Sequence, residues 1–223
     1  MMMNFTMFKS QLRREYLLQI RQPWRLLYSA LFFFMAVVFF PFTLPFKPEL
    51  MRTLGPGFIW IALLFASLLS SIGLFEQDEE SGVLEQWIVS GESLLTTVGA
   101  KITMQWVCYM VGLLVLAPLL SLLFYLNAKE TVLLMLSFLL GTPTLFLLCM
   151  LAAAFNLNNG ILMAMILLPL ALPVLIFGSS VLTPLFSTQV PAASLAFLTA
   201  ISLLTSVFLP PAIAAILRIS LTE

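Results

Sequence analysis

Residues 131–155 read TVLLMLSFLLGTPTLFLLCMLAAAF, a run without one charged side chain. As an α-helix rising about 1.5 Å per residue, such a run crosses the roughly 30 Å hydrocarbon core of a bilayer. Backbone amides in lipid must be satisfied inside the spanning structure, by a helix or by a closed barrel. A barrel would need short strands of alternating polarity, whereas this run is apolar on every face. The stretch predicts a transmembrane helix, and the rest of the chain repeats it. Comparable spans are expected at 26–45, 56–75, 102–126, 161–182 and 193–217. Hydrophobic residues make up 61% of the 223 and charged residues 9%, against about 25% charged in a soluble domain. The fold class that follows is an all-α integral membrane protein, a six-transmembrane-helix bundle forming one transmembrane domain over 1–223.

Net charge is zero, so charge carries information only through its position. Lys9, Arg13, Arg14, Arg21, Arg25, Lys101 and Arg218 would share one side of the membrane, and Lys47, Arg52 and Lys129 the other. The cytoplasmic side carries the excess of Lys and Arg, which predicts both ends of the chain inside. Residues 1–25 are polar and basic, without the apolar core and small-residue cleavage site of a signal peptide.

Ahead of the first span, 4–25 reads NFTMFKSQLRREYLLQIRQPWR. On a helix, Phe5, Phe8, Leu12, Tyr16 and Ile20 gather within about 120° of arc, with Arg14, Arg21, Ser10 and Gln11 opposite. Lys9 and Arg13 flank the stripe, where they can snorkel. That pattern fits an interfacial helix lying on the membrane, and a basic topogenic tail fits it as well.

Proline falls inside the spans: Pro143 in the fourth, Pro169 and Pro173 in the fifth, Pro210 and Pro211 in the sixth. An interior proline removes a helical hydrogen bond and kinks the helix. Kinks serve either conformational change or static packing. After Pro173 the segment 174–198 fits either a re-entrant hairpin or two plain helix ends.

The spans hold little reactive chemistry. The chain lacks histidine, which excludes Ser–His, Cys–His and H-E-x-x-H centres and a His-ligated haem. It lacks the G-x-x-x-x-G-K-[ST] phosphate loop, so nucleotide hydrolysis must reside elsewhere. Cys108 and Cys149 lie far apart in apolar surroundings and form no C-x-x-C. An enzyme is therefore not expected, and neither a metal nor a cofactor bound by this chain itself.

The distinctive loop is 76–101, which opens with the acids of FEQDEESGVLEQWI at 75–88. Gly82 breaks it, and Val83, Leu84, Trp87 and Ile88 then form one apolar face of a short helix. Such a helix with an aromatic anchor serves either to pack on the chain's own spans or to dock a partner subunit. Its acids disfavour anionic lipid, which points to a protein partner.

At these residues the chain resembles the haem exporter B family (CcmB). The resemblance is carried by PGFIW at Pro56–Trp60 and by F-x-x-D-x-x-x-G-x-L-E-Q from Phe75 to Gln86. It continues with LGTPTL at Leu140–Leu145, LPLALPVLIF at Leu168–Phe177 and LRIS at Leu217–Ser220. One departure stands out: the family loop usually reads D-G-S-L-E-Q, and here 81–86 read S-G-V-L-E-Q. The resemblance implies an ABC-2 exporter-like permease subunit of the cytochrome c maturation transporter, in a bacterial inner membrane. It implies a separate ATPase subunit (CcmA-like), a haem-handling membrane protein (CcmC-like) and a periplasmic haem chaperone (CcmE-like). Haem would be the substrate, ATP would act only through the partner, and two copies of the chain would be needed. On this reading 76–101 holds a coupling helix between spans two and three. Asp78, Gly82, Val83, Leu84, Glu85, Gln86, Trp87 and Ile88 would then meet the ATPase. A regulatory module for chaperone release, or a permease for another lipid-like substrate, is the alternative. Nucleic acid is not an expected partner.

Overall fold

The computed structural model describes residues 5–21, 24–43, 47–72, 74–75, 78, 81–83, 94–156, 161–182 and 191–220. Every regular element among them is helical: α1 (Phe5–Arg21), α2 (Trp24–Phe39) with a 3-10 turn at Phe40–Thr43, and α3 (Pro48–Ser71). These are followed by α4 (Leu94–Leu123), α5 (Ala128–Asn156), α6 (Ile161–Ser180) and α7 (Pro191–Ser220). Stretches Pro48–Ser71, Leu94–Leu123, Ala128–Phe155 and Ala192–Ile219 are long and apolar enough to cross a membrane. Leu27–Thr43 and Leu167–Ser180 are shorter apolar stretches. The chain is a multi-pass, all-helical membrane protein.

Helix α5 is the centre of the bundle, in contact with α3, α4, α6 and α7. Leu145 to Met150 are buried without a break, as they must be in a helix surrounded on all sides. The outer surface is apolar instead of polar: Phe32, Phe65, Leu69, Val111, Val115, Leu203, Val207 and Phe208 are all exposed. Lipid is the solvent for that belt. Inside, hydroxyls are common, and several bond their own helix. Ser67 donates to the Leu64 carbonyl at 2.9 Å, Ser71 to that of Ser67 at 2.8 Å, and Thr205 to that of Ile201 at 2.9 Å. Small and hydroxylic residues at such contacts let membrane helices approach closely without leaving polar groups unsatisfied.

Close approach is most marked around Trp60 of α3. Its indole is fully buried and packs edge-on to Phe138 of α5, with ring centroids 5.8 Å apart. Gly141 of α5 and Gly178 of α6 face the same ring. The PGFIW and LGTPTL segments and Gly178, the residue just after LPLALPVLIF, thus meet in one joint of three helices.

Several expected boundaries move. Helix α3 begins eight residues before the expected 56, because Pro48 occupies its first turn and the Lys47 carbonyl accepts from Leu50 and Met51 at 3.1 and 3.2 Å. Proline suits that position, having no N–H to leave unpaired. The polar stretch Glu49–Thr53 is a helix start that polarity alone had placed in a loop. Helix α4 begins at Leu94, so the last eight residues assigned to the 76–101 loop are helical. Helix α6 runs to Ser180 and α7 begins at Pro191, so the described parts of 174–198 are helix ends. Ser180 and Ser194 join them at 2.8 Å. Pro143, Pro169, Pro173, Pro210 and Pro211 all lie inside continuous helices. Pro56 in α3 and Pro118 in α4, which the sequence reading had not singled out as kink positions, are also helix-internal.

Candidate functional site

Helix α1 lies against α4, and it does so with its polar side. Tyr16 and Ile20 of the apolar stripe remain about half exposed, while Glu15 retains only 5% of its accessible surface. An interfacial helix that gives its apolar stripe to lipid must satisfy its polar face on protein, and α4 supplies the partners. The Gln19 amide donates to the Gln105 side-chain carbonyl. Gln105, 1% exposed, donates in turn to Ser70 Oγ of α3 at 3.0 Å.

One turn before Gln105, Lys101 is buried. Its ammonium pairs with the Asp78 carboxylate, donates to the Leu74 carbonyl at 3.1 Å, and sits 5.7 Å from the centroid of the Phe75 ring. These partners all belong to the connection that leaves α3. Arg14 approaches Glu15 at 3.6 Å. Glu15, Gln19, Asp78, Ser81, Lys101 and Gln105 line one polar cavity of about 170 Å³. Burial pushes the Glu15 carboxyl above the ordinary carboxylate range; Lys101 pulls it back down, and Asp78 adds to the rise. A carboxyl taken from water is held near neutrality unless a partner fully compensates it.

Of the residues expected at a partner contact, Asp78 is buried on Lys101, and Val83 is half-buried at the rim of the same cavity. Gly82 adopts φ +67°, the left-handed region that glycine enters without strain, so it does interrupt the loop. Leu84, Glu85, Gln86, Trp87 and Ile88 lie outside the described residues. The prolines divide. Pro143 and Pro210 line one groove of about 310 Å³ between α4, α5 and α7, with Thr103, Trp106 and Ser202. Trp106 Nε1 donates to Thr142 Oγ1 at 2.9 Å beside it. Pro169, Pro173 and Pro211 are exposed on α6 and α7 and do not line that groove.

The sequence reading overlooked Glu15, Gln19 and Gln105, and took Lys101 for a loop cation. A signal was present. Glu15 is the lone acid of an otherwise basic helix, and Lys101 and Gln105 stand one helical turn apart at the start of an apolar span. What polarity could not show is that these groups face one another.

The comparisons with known proteins agree along nearly the whole chain. The family described as CcmB protein matches residues 6–220. Heme exporter protein B of Pseudomonas aeruginosa is 38% identical over 219 residues, covering 97% of this chain and 98% of the relative. The proteins of the same name from Bradyrhizobium diazoefficiens and Haemophilus influenzae are 35% and 34% identical over 217 residues, each covering 96% of this chain and 98% of the relative. With the motifs in order from Pro56 to Ser220 and matches of this extent, the chain belongs to the CcmB protein family.

Proposed function

We propose that this chain is the membrane subunit of a haem-exporting ABC transporter for cytochrome c maturation, with ATP hydrolysis in a separate CcmA-like subunit. The observation that carries the reading is end-to-end similarity to heme exporter protein B. The bundle would have six spans. Helix α2, about 24 Å long, gains about 8 Å from its 3-10 turn, and α6 reaches about 30 Å, so both match the hydrocarbon thickness. The end of the bundle at Lys101 would be cytoplasmic, which puts Lys9, Arg13, Arg14, Arg21 and Arg218 on that side and Arg52 and Lys129 on the other. The bacterial inner membrane is its proposed site, with CcmC-like and CcmE-like proteins as further partners and two copies of the chain per complex.

Residues 83–88 would be the coupling helix, with Leu84, Trp87 and Ile88 seated in the ATPase subunit and Glu85 and Gln86 at the rim. Asp78 would fix its base and Gly82 its sharp start. Closure of the ATPase would push this helix and shift α4, α5 and α7 at the groove where Pro143 and Pro210 meet. Pro169, Pro173 and Pro211 would adjust the lipid-facing flanks.

The test is Trp87→Ala combined with Leu84→Ala. The expected result is loss of ATPase copurification with the chain still present in the membrane. Unchanged copurification and ATPase activity would refute the coupling helix. Vesicles holding all subunits distinguish the outputs: ATP-dependent haem accumulation supports export, while chaperone release without accumulation supports a regulatory module.

A further inference from the structure

The Lys101 ammonium is buried where three parts of the chain meet. Lys101 lies on α4, its acceptors Asp78 and the Leu74 carbonyl lie on the connection leaving α3, and Glu15 of α1 lines the same cavity. Gln105, one turn further along α4, joins Ser70 of α3 to Gln19 of α1. A buried ion pair does not stabilise a fold well, since desolvation cancels much of the attraction, but it is strongly directional and severe to break one-sidedly. A contact needed only to fill space would be better served by apolar side chains. Here the charge holds the connection leaving α3 at a fixed place relative to two helices.

We infer that Lys101 is a positioning residue for energy coupling. It ties the base of the loop at Asp78 and Leu74 to α4, and through the shared cavity to Glu15 of α1, so that loop, α4 and α1 move as one body. The inference rests on the proposed reading that the loop receives an ATPase subunit. Without the tie, the loop would follow the ATPase while α4 stayed behind. Hydrolysis would then continue without output.

The experiment uses the complete complex in vesicles. It follows ATPase copurification, ATP hydrolysis, and ATP-driven output as haem accumulation or chaperone release. Lys101→Met is expected to keep copurification and hydrolysis within about twofold of wild type while output per ATP falls at least about tenfold. Lys101→Arg is expected to retain most of the output. The exchange Lys101→Asp with Asp78→Lys is expected to restore output relative to Asp78→Lys alone. Rescue by an exchanged pair is not expected of a residue that merely fills space.

Unchanged output per ATP in Lys101→Met overturns the inference. If Lys101→Met does not reach the membrane, the comparison of the exchanged pair with Asp78→Lys decides, and no recovery overturns it. A wild-type chain that brings down no ATPase subunit overturns the coupling reading itself, and this inference with it.

Discussion

Trp60 and Gly178 touch with no side chain between them: a Cβ built on Gly178 would come within 2.3 Å of Trp60 Cε2. On the neighbouring helix, a Cβ on Gly141 would meet Trp60 Cη2 at 2.5 Å. The indole is fully enclosed, so it has nowhere to retreat. Gly178→Ala and Gly141→Ala are each expected to destabilise the bundle by about 1–3 kcal/mol, the usual cost of overpacking. Gly112→Ala meets open space and serves as the control. Thermal unfolding in detergent measures the difference, and equal midpoints for Gly112→Ala and Gly178→Ala would refute the joint.

Glu15 predicts an unusual pH dependence. Burial raises its pKa in the docked helix above the ordinary 4.5, so the folded state binds the proton more tightly than the unfolded one. Docking of α1 is then strongest at and below that ordinary value. It weakens as pH rises from there through the raised pKa, and it levels off above it. This is the reverse of a salt-bridged carboxylate. Glu15→Gln should tighten α1 at neutral pH and flatten the profile. Amide exchange of residues 5–21 across mildly acidic to neutral pH is the measurement, and faster exchange on acidification in the wild type would contradict it.

At the opposite end, Arg52 Nη2 pairs with Glu130 at 2.8 Å with both side chains about one-third exposed. Exposed pairs contribute about 0–1 kcal/mol, so Arg52→Ala should be nearly silent. Glu130 also accepts the Asn127 N–H at 2.7 Å, satisfying a donor left over at the start of α5. Glu130→Ala should therefore cost about 1 kcal/mol more than Arg52→Ala, the size of a lost helix cap. Paired melting curves decide, and equal losses would show that the cap contributes nothing.

Tyr125 ends α4 with φ +55°, where the Leu126 N–H reaches back to the Ser121 carbonyl at 2.8 Å. That is the helix-terminating pattern in which glycine is preferred. A tyrosine there carries backbone strain of about 1–2 kcal/mol. Tyr125→Gly is expected to raise the unfolding temperature, because the exposed ring loses little packing. A lowered midpoint would mean the ring anchors the bundle at the membrane interface more strongly than the strain opposes it.

The existence and approximate places of the helices were legible because burial in lipid needs only long apolar runs, a property of composition along the chain. Errors came where that rule is silent. The polar start of α3 is set by Pro48 and the Lys47 carbonyl, and the early start of α4 lies in residues too mixed to read as a span. The docking face of α1 was not legible for a physical reason. Apolar periodicity assigned the stripe with Tyr16 and Ile20 to the membrane, and both stay about half exposed, but it could not say that the polar face with Glu15 and Gln19 meets α4.

The sequence alone determined an apolar, all-helical membrane chain, the order of its helices, its glycine and proline positions, and the family to which its motifs belong. Only the tertiary structure decided that Trp60 closes on Gly141 and Gly178, that Pro143 and Pro210 share a groove, and that Glu15, Asp78 and Lys101 share a cavity. The physical reason is range. Hydropathy acts through the local run of side chains, whereas a buried charge or a glycine contact is defined by residues 23 to 118 positions apart that only packing brings together.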